Sequence, residues 1–311
     1  MDLDAYFGHK AVPEDYKSGF VGIIGRPNVG KSTLMNNILG QKIAIMSDKP
    51  QTTRNKIQGI YTDDEMQAIF LDTPGVHKPQ HKLGEYMNKA AVSIVGDVDV
   101  IFYLIDSTAK IGGGEEYIAN QLKKSKVPVF LIVNKIDLLQ PKQVLKVIKE
   151  YKDLLDFAEV VPVSALTGDN VDELIKTLKK YIPQGPQYYD PDQITDQPER
   201  SIMAEIIREK IFLNTRDEIP HSVAVNITEY MERENGTLYI GAAIYVERDS
   251  QKGIIIGKQG SMLKQIGASA RPEIETLFGN KVFLELRVKV KKDWRNSDNL
   301  LKNFGYNKKD L

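Results

Sequence analysis

Gly25-Arg26-Pro27-Asn28-Val29-Gly30-Lys31-Ser32 follows the apolar run Phe20-Val21-Gly22-Ile23-Ile24 and precedes a helical pattern at Thr33, Leu34, Asn37 and Ile38. The eight residues fit G-x-x-x-x-G-K-[ST], and the flanks supply the strand before and the helix after that the motif requires. Its glycines let backbone N–H groups wrap a di- or triphosphate at the positive end of the following helix. Lys31 is placed to reach the outer phosphates, and the Ser32 hydroxyl to hold Mg2+. The stretch from Gly25 to Ser32 reads as a phosphate-binding loop, and the chain as a nucleotide binder.

Three further elements, in order, indicate which nucleotide. Asp72-Thr73-Pro74-Gly75 closes the apolar strand Ala68-Ile69-Phe70-Leu71. There a carboxylate can hold Mg2+ through water and the Gly75 N–H can meet the γ-phosphate, with Val76 next in line. Asn134-Lys135-Ile136-Asp137 follows the apolar strand Val129 to Val133. Two coplanar acceptor oxygens on Asp137 match guanine's ring N–H and exocyclic amine. Adenine lacks that donor pair, so such a site rejects it. Ser164-Ala165 ends the strand Val160 to Val163 and offers the Ala165 N–H to the guanine carbonyl. Singly, each is an ordinary strand-end turn; together, each at a strand's C-terminal end, they point to GTP.

The 311 residues contain no cysteine, which excludes disulfides and thiolate metal sites and suits a reducing compartment. No apolar stretch approaches a membrane span, and residues 1–10 lack a signal-peptide core. His77 and His81 stand four apart in a polar segment that reads as a solvated loop. Net charge is zero but uneven. Residues 1–199 carry 23 Lys+Arg against 27 Asp+Glu, whereas residues 251–311 carry 13 against 6. A basic C-terminus after a mildly acidic front part points to a polyanionic partner.

Four prolines between 183 and 198 mark a linker at 183–199, where neither helix nor central strand persists. Before it, at 16–182, strands alternate with helical patterns such as Val144 to Leu155 and Val171 to Tyr181, predicting an α/β domain with a mostly parallel sheet. Lys56 to Leu71 departs from this: two runs flank Thr62-Asp63-Asp64-Glu65 as a hairpin, adding one antiparallel edge strand. Residues 200–311 predict a smaller α+β domain: a helix from Ile202 to Leu213, strands Ser222–Met231 and Leu238–Arg248 joined at Asn235-Gly236, a helix from Ser261 to Phe278, and a strand from Val282 to Val290. Between them Ile254-Ile255-Ile256 leads into Gly257-Lys258-Gln259-Gly260. Two positions without side chains let a nucleic-acid backbone lie against this turn at a helix N-terminus, beside Lys258. Ile256 to Gly260, with Lys264 and Lys289 nearby, are the candidate RNA-binding residues.

The order helix–strand–strand–helix–helix–strand around G-x-x-G resembles a type II KH domain, and the front half a Ras-like P-loop GTPase. Together they resemble the Era GTPases from about Tyr16 to the C-terminus. The matching runs include Gly25–Ser32, Ser47-Asp48-Lys49-Pro50-Gln51-Thr52-Thr53-Arg54, Asp72–Gly75, Asn134–Asp137, Ser164–Leu166, Glu205–Lys210, Val246–Arg248, Ile256–Gly260 and Leu284–Val290. The resemblance implies binding of 16S ribosomal RNA near its 3′ end, action in 30S subunit assembly, a cytoplasmic monomer with peripheral membrane association, and no DNA partner. Two departures stand out: Arg287 occupies a position where the family pattern suggests tryptophan, and residues 1–15 form an extension with no recognised counterpart.

The resemblance also implies a switch. Thr52 or Thr53, with Thr53 favoured, closes onto Mg2+ beside Ser32 and Asp72 in the GTP state, and hydrolysis releases that segment. Val76 stands where many Ras-like enzymes carry a water-orienting glutamine, so intrinsic hydrolysis is expected to be slow. Similar GTPases with asparagine at the Asn28 position hold potassium against the phosphates. Two alternatives stay open: an RNA-binding assembly factor whose hydrolysis is vestigial, and a GTPase in RNA modification or membrane signalling.

Overall fold

The structure, a computed structural model, describes residues 13–47, 49, 51–77 and 79–307. Asp48 and Pro50 of the switch run, most of the N-terminal extension and the last four residues lie outside these. The described chain forms two bodies.

The N-terminal body comprises Met1–Lys42, Lys56–Val76 and Ala91–Asp196. Its strands are β1 (Lys17–Gly25), β2 (Ile57–Thr62), β3 (Met66–Asp72), β4 (Val100–Asp106), β5 (Val129–Asn134) and β6 (Glu159–Pro162). They form one sheet in the order β2-β3-β1-β4-β5-β6, parallel except for β2. The central strands are apolar on both faces because helices cover both. These are α1 (Lys31–Leu39), α3 (Gly113–Leu122), α4 (Pro141–Tyr151) and α5 (Val171–Lys179). Helix α2 (Lys82–Ser93) straddles the division, its last turn belonging here. Helix α5 shows the local logic: Asp172 and Glu173 open it and Lys176 and Lys179 close it, each charge opposing its end of the peptide dipole.

The β2–β3 turn is fixed by Asp63, whose Oδ1 accepts from the Glu65 and Met66 N–H groups at 2.8 and 2.7 Å. The proline-rich stretch has neither helix nor central strand, yet it does not hang free. Ser18 N–H donates to Pro183 O, Gly185 N–H to Tyr16 O and Ile60 N–H to Ile194 O. Gln67 Oε1 accepts from Tyr188 and Tyr189 N–H, and Thr195 Oγ1 donates to Gln58 O. The strap is fastened to β1–β3 as far as Thr195.

The C-terminal body comprises Ile43–Asn55, His77–Ala90 and Gln197–Leu311. Helix α6 (Glu199–Asn214) leads through the short α7 (Ile219–Ser222) to β7 (Ala224–Glu232) and β8 (Leu238–Val246). Helices α8 (Asp249–Ile256) and α9 (Ser261–Phe278) then lead to β9 (Val282–Val290). β8 pairs antiparallel with β7 and parallel with β9. Ile202, Ile206, Ile207 and Ile211 of α6 meet Ile266, Ala270 and Ile274 of α9 and the inner residues of the sheet in one core.

Two sequence expectations need correction here. The basic C-terminal stretch is not a plain tail: residues 291–307 fold back as a turn at Trp294–Asn296 and helix α10 (Asp298–Asn303). They bury Trp294, Leu301 and Tyr306 against Leu83, Tyr86, Met87 and Ala224. In the segment carrying His77 and His81, expected as a solvated loop, Pro79 and Gln80 are exposed, but neither histidine is fully solvated. His81 is partly buried at the start of α2, with Nδ1 accepting from Gly84 N–H at 3.0 Å. Burial, with Arg295 and Arg54 adding, pushes its pKa down to about 4. An apolar ridge on α2 that the histidine spacing did not reveal explains the difference.

Candidate functional site

β1 ends in the phosphate loop. Asn28 and Gly30 take positive φ, 65° and 99°, which turns the backbone into a cup before α1. A Cβ on Gly30 would meet Asn134 Nδ2 at 2.3 Å, so a side chain is barred there by contact as well as by backbone angle. Lys31 is buried, with Nζ donating to Arg26 O at 3.0 Å and to Gly25 O at 3.3 Å. Burial lowers its pKa to about 8, against the upward pull of Asp72. Arg26 turns outward to Glu115 Oε1 at 3.1 Å.

Ser32 Oγ donates to Asp72 Oδ2 at 2.6 Å, so the hydroxyl and carboxylate expected to hold Mg2+ are adjacent. Two hard oxygens at the mouth of a phosphate loop suit that ion. Thr73 is buried and donates to Ile23 O at 2.8 Å. Pro27 and Gly75 lie in contact, since a Cβ on Gly75 would approach Pro27 N to 2.6 Å. Val76 N–H donates to Gly25 O at 3.2 Å, and its side chain is buried in the core under β4 and β5.

At the end expected to take the guanine, Asn134 is a clamp. Its Nδ2 donates to Val29 O at 2.7 Å and its Oδ1 accepts from Ala165 N–H at 2.8 Å, tying the phosphate loop to the Ser164-Ala165 turn. Ser164 Oγ donates to Asp137 Oδ1 at 2.6 Å and aims that carboxylate. Lys135, at φ 65°, pairs with Asp106 at 2.6 Å. Burial alone would raise the Asp106 carboxyl, but bonds from Lys135 and Thr108 outweigh it and hold the pKa below its ordinary value. Ile136 N–H donates to Val163 O at 3.3 Å. The structure thus gathers the three strand-end motifs around the phosphate loop. Sequence reading missed Asp106 and Glu115; Asp106 ends an apolar strand as Asp72 and Asn134 do, a signal that was available.

Thr52 and Thr53 belong to the other body. Thr52 Oγ1 donates to Lys49 O at 2.6 Å, the Thr52 carbonyl accepts from Arg208, and Thr53 is buried.

The candidate RNA-binding turn joins α8 to α9. Gly257, Gln259 and Gly260 have φ of 74°, 52° and 79°. A Cβ on Gly257 would meet the Met262 N at 2.8 Å, while the space at Gly260 is open. Ile256 is half-buried, and Lys258, Gln259 and Lys264 are exposed. Lys289 is not on the turn. It stands on β9 with Phe283, Glu285 and Arg287, on the sheet face opposite Leu284, Leu286, Val288 and Val290, which pack into the core. Arg287, the departure from the family pattern, bonds Glu285 at 2.7 Å on that open face.

The profile of the 50S ribosome-binding GTPase family matches residues 20–135, and that of the KH domain family matches residues 218–295. A tyrosine-to-alanine variant of Aquifex aeolicus Era bound to GDP·AlF4− is 44% identical, with a TM-score of 0.91 over 94% of this chain and 99% of that one. Era in complex with MgGDPNP and nucleotides 1506–1542 of 16S ribosomal RNA is 45% identical, with the same TM-score and coverage.

Proposed function

The chain belongs to the Era family of GTPases, and on that footing we propose that it binds GTP, hydrolyses it slowly, and binds small-subunit ribosomal RNA near its 3′ end during 30S assembly. The observation that carries the reading is the likeness, over almost the whole chain, to an Era holding both GDPNP and a 16S fragment. Backbone N–H groups of the 25–32 loop other than Pro27 cradle the phosphates, Lys31 neutralises them, and Asp137, Asn134 and Ala165 read the guanine. Ser32 and Asp72 are the residues that would hold Mg2+, which offsets phosphate charge when bound; Thr53, the third residue expected there, belongs to the other body. Asn28 is assigned to potassium, because Val76 is apolar and buried and another charge must stabilise the transition state. Ile256 to Gly260, with Lys264, take the RNA backbone; Lys289 adds charge from the open face. A cytoplasmic protein with peripheral membrane association completes the proposal; among the described residues no helix is long and apolar enough to cross a membrane.

The test separates the two activities. Replacing Lys258 and Gln259 together with aspartate should abolish binding of a 16S 3′ fragment while GTP affinity and intrinsic hydrolysis stay near the parent's. Parent affinity should fall with salt at a log–log slope of about −0.7 per phosphate contact. Tight RNA binding by the folded double variant would remove the turn from the interface. The buried Val76 also favours a second reading in which hydrolysis is vestigial; single-turnover rates with and without 30S subunits distinguish it from a timed switch.

A further inference from the structure

The outer face of the β7–β8–β9 sheet carries an aromatic pair that the core does not use. Met231, Tyr239 and Phe283 are register partners across the three strands and form one outward row at the hairpin end. The Tyr239 and Phe283 ring centres lie 5.8 Å apart, with the planes 15° from parallel. The guanidinium carbon of Arg233 spans the pair, 5.0 Å from the Tyr239 centroid and 4.8 Å from that of Phe283. Met231 is 54% exposed and Phe283 50%, whereas Leu238, Ile240 and Val282, which alternate with them onto the inner face, are buried. At the far end of the outer face Tyr245 is covered by Phe304, their ring centres 4.5 Å apart. The hairpin end stays exposed.

Charge decides what such a surface can take. Facing outward on these strands and just beyond their ends are Arg233, Lys281, Arg287 and Lys289 against Glu229 and Glu285. Glu285 is already engaged: Tyr239 Oη donates to its Oε2 at 2.6 Å and Arg287 Nε to its Oε1 at 2.7 Å. Arg233, Lys281 and Lys289 have no carboxylate partner among the described residues. The Arg233 guanidinium thus lies on two rings with its fork of donors unspent. An anion meets such a fork edge-on, and a flat π system meets the rings and the guanidinium plane face-on. A nucleotide presents both at once. In a duplex the base faces are stacked on each other, so the ligand that fits is a single strand. Outward residues of β9 recur every ~6.6 Å, close to the phosphate repeat of an extended strand. A row of three apolar side chains is too little for a stable protein interface, which buries about 800 Å² on each partner.

We propose that this face is a second nucleic-acid site of the C-terminal body, a role that rests on the RNA-binding reading above. It takes a base of single-stranded RNA on Phe283, Tyr239 and Arg233, and the flanking phosphates on Arg233, Lys281 and Lys289. The turn from Gly257 to Gly260 contains no aromatic ring and offers the backbone a place to lie at a helix N-terminus. The sheet face supplies the stacking that the turn lacks.

The probes are a single-stranded oligouridylate carrying thiouridine, the same strand annealed to oligoadenylate, and the 16S fragment 1506–1542. Photocross-linking of the unmodified full chain to the single strand should label the peptide containing Phe283 as well as the one containing Lys258. Phe283→Trp keeps a ring on the surface and adds a fluorescent reporter to the buried Trp294. Its emission should be quenched by the single strand, but not by the annealed duplex or by polyphosphate, which carries charge without bases. Phe283→Thr, a residue strands accept, should lose about ten-fold in affinity for the oligouridylate, and Arg233→Met about as much. Lys289→Gln should flatten the log–log salt slope by about 0.7. An unlabelled Phe283 peptide in a parent that binds the 16S fragment overturns the proposal and leaves the RNA reading intact. So does quenching of Phe283→Trp by polyphosphate as strong as that by RNA. The cross-link is read on the parent, so the proposal stands or falls even where a variant fails to fold. Failure of the parent to bind the 16S fragment overturns the RNA reading and this site with it.

Discussion

If Asp137 reads the base as proposed, it does so only as well as Ser164 aims it, through the 2.6 Å bond that fixes one carboxylate oxygen. Asp137→Asn replaces an acceptor with a donor, which suits xanthine's carbonyl in place of guanine's amine. GTP affinity should fall by about 100-fold or more and XTP affinity should rise, measured by competition binding; an unchanged GTP-to-XTP ratio would show that Asp137 does not contact the base. Lys31 gives a second residue-scale prediction. Its pKa in the free protein is lowered to about 8 by burial, and adjacent phosphates favour the ammonium, so the bound-state value is higher. Between the two values binding takes up a proton. Affinity should therefore fall as pH rises above about 8, with proton uptake seen by calorimetry in two buffers of different ionisation enthalpy. At this scale the candidate nucleotide motifs were legible, because each closes an apolar strand. Arg54 was legible as part of a motif but not as a buried group. A charged residue in a polar run reads as surface, and nothing local marks the carbonyls of Pro220, His221 and Val223 that receive it.

Helix α6 shows how an element hides its packing. The spacing of Ile202, Ile206, Ile207 and Phe212 gave the helix, and three consecutive charged residues, Arg208, Glu209 and Lys210, interrupt that pattern. Yet these three are 1, 2 and 8% exposed. Lys210 bonds Glu209 at 2.8 Å and also Glu273 of α9. Desolvation alone would lower the Lys210 pKa, yet these carboxylates outweigh it and raise it. Period alone cannot find such a helix, because it is wrapped on more than one side and its charges are satisfied by each other rather than by water. Glu209→Ala strips a buried ammonium of one partner and Met46 N–H of its acceptor. It should cost about 3 kcal/mol, measured by denaturant unfolding followed at Trp294. A loss below about 1 kcal/mol, the usual worth of an exposed pair, would place the pair at the surface in solution. The alternation of strands and helices in the N-terminal body, and the order from α6 to β9 apart from the short α7, were legible from periodicity and turn residues, whereas β4, α2 and α3 were not singled out. Nor were the capping turn and α10 after β9, since their apolar residues are few and scattered among charges.

At the scale of the whole chain, the two bodies do not correspond to two consecutive stretches of sequence. The proline-rich stretch marked the larger change of fold, but residues 43–55 and 77–90 belong to the body that otherwise starts at Gln197. Sequence reading assigns a segment to the domain that encloses it in order. Only the burial of Arg54, Leu83, Tyr86 and Met87 among C-terminal residues reveals another allegiance. A fragment covering 197–311 alone should therefore melt below the full chain and show solvent-exposed tryptophan emission, since Trp294 loses much of its packing. A native melting temperature for the fragment would contradict the shared core. The same interleaving governs what a protease could accomplish. Cleavage at 196–198, where the strap has released its last anchor on β2, yields two polypeptides, and the longer one keeps both segments embedded in the other body. The nicked species should travel as a single particle in gel filtration and come apart only under denaturant: severing the backbone between the two folds does not divide the protein, because two segments of the longer piece still fill the interior of the fold completed by the shorter one.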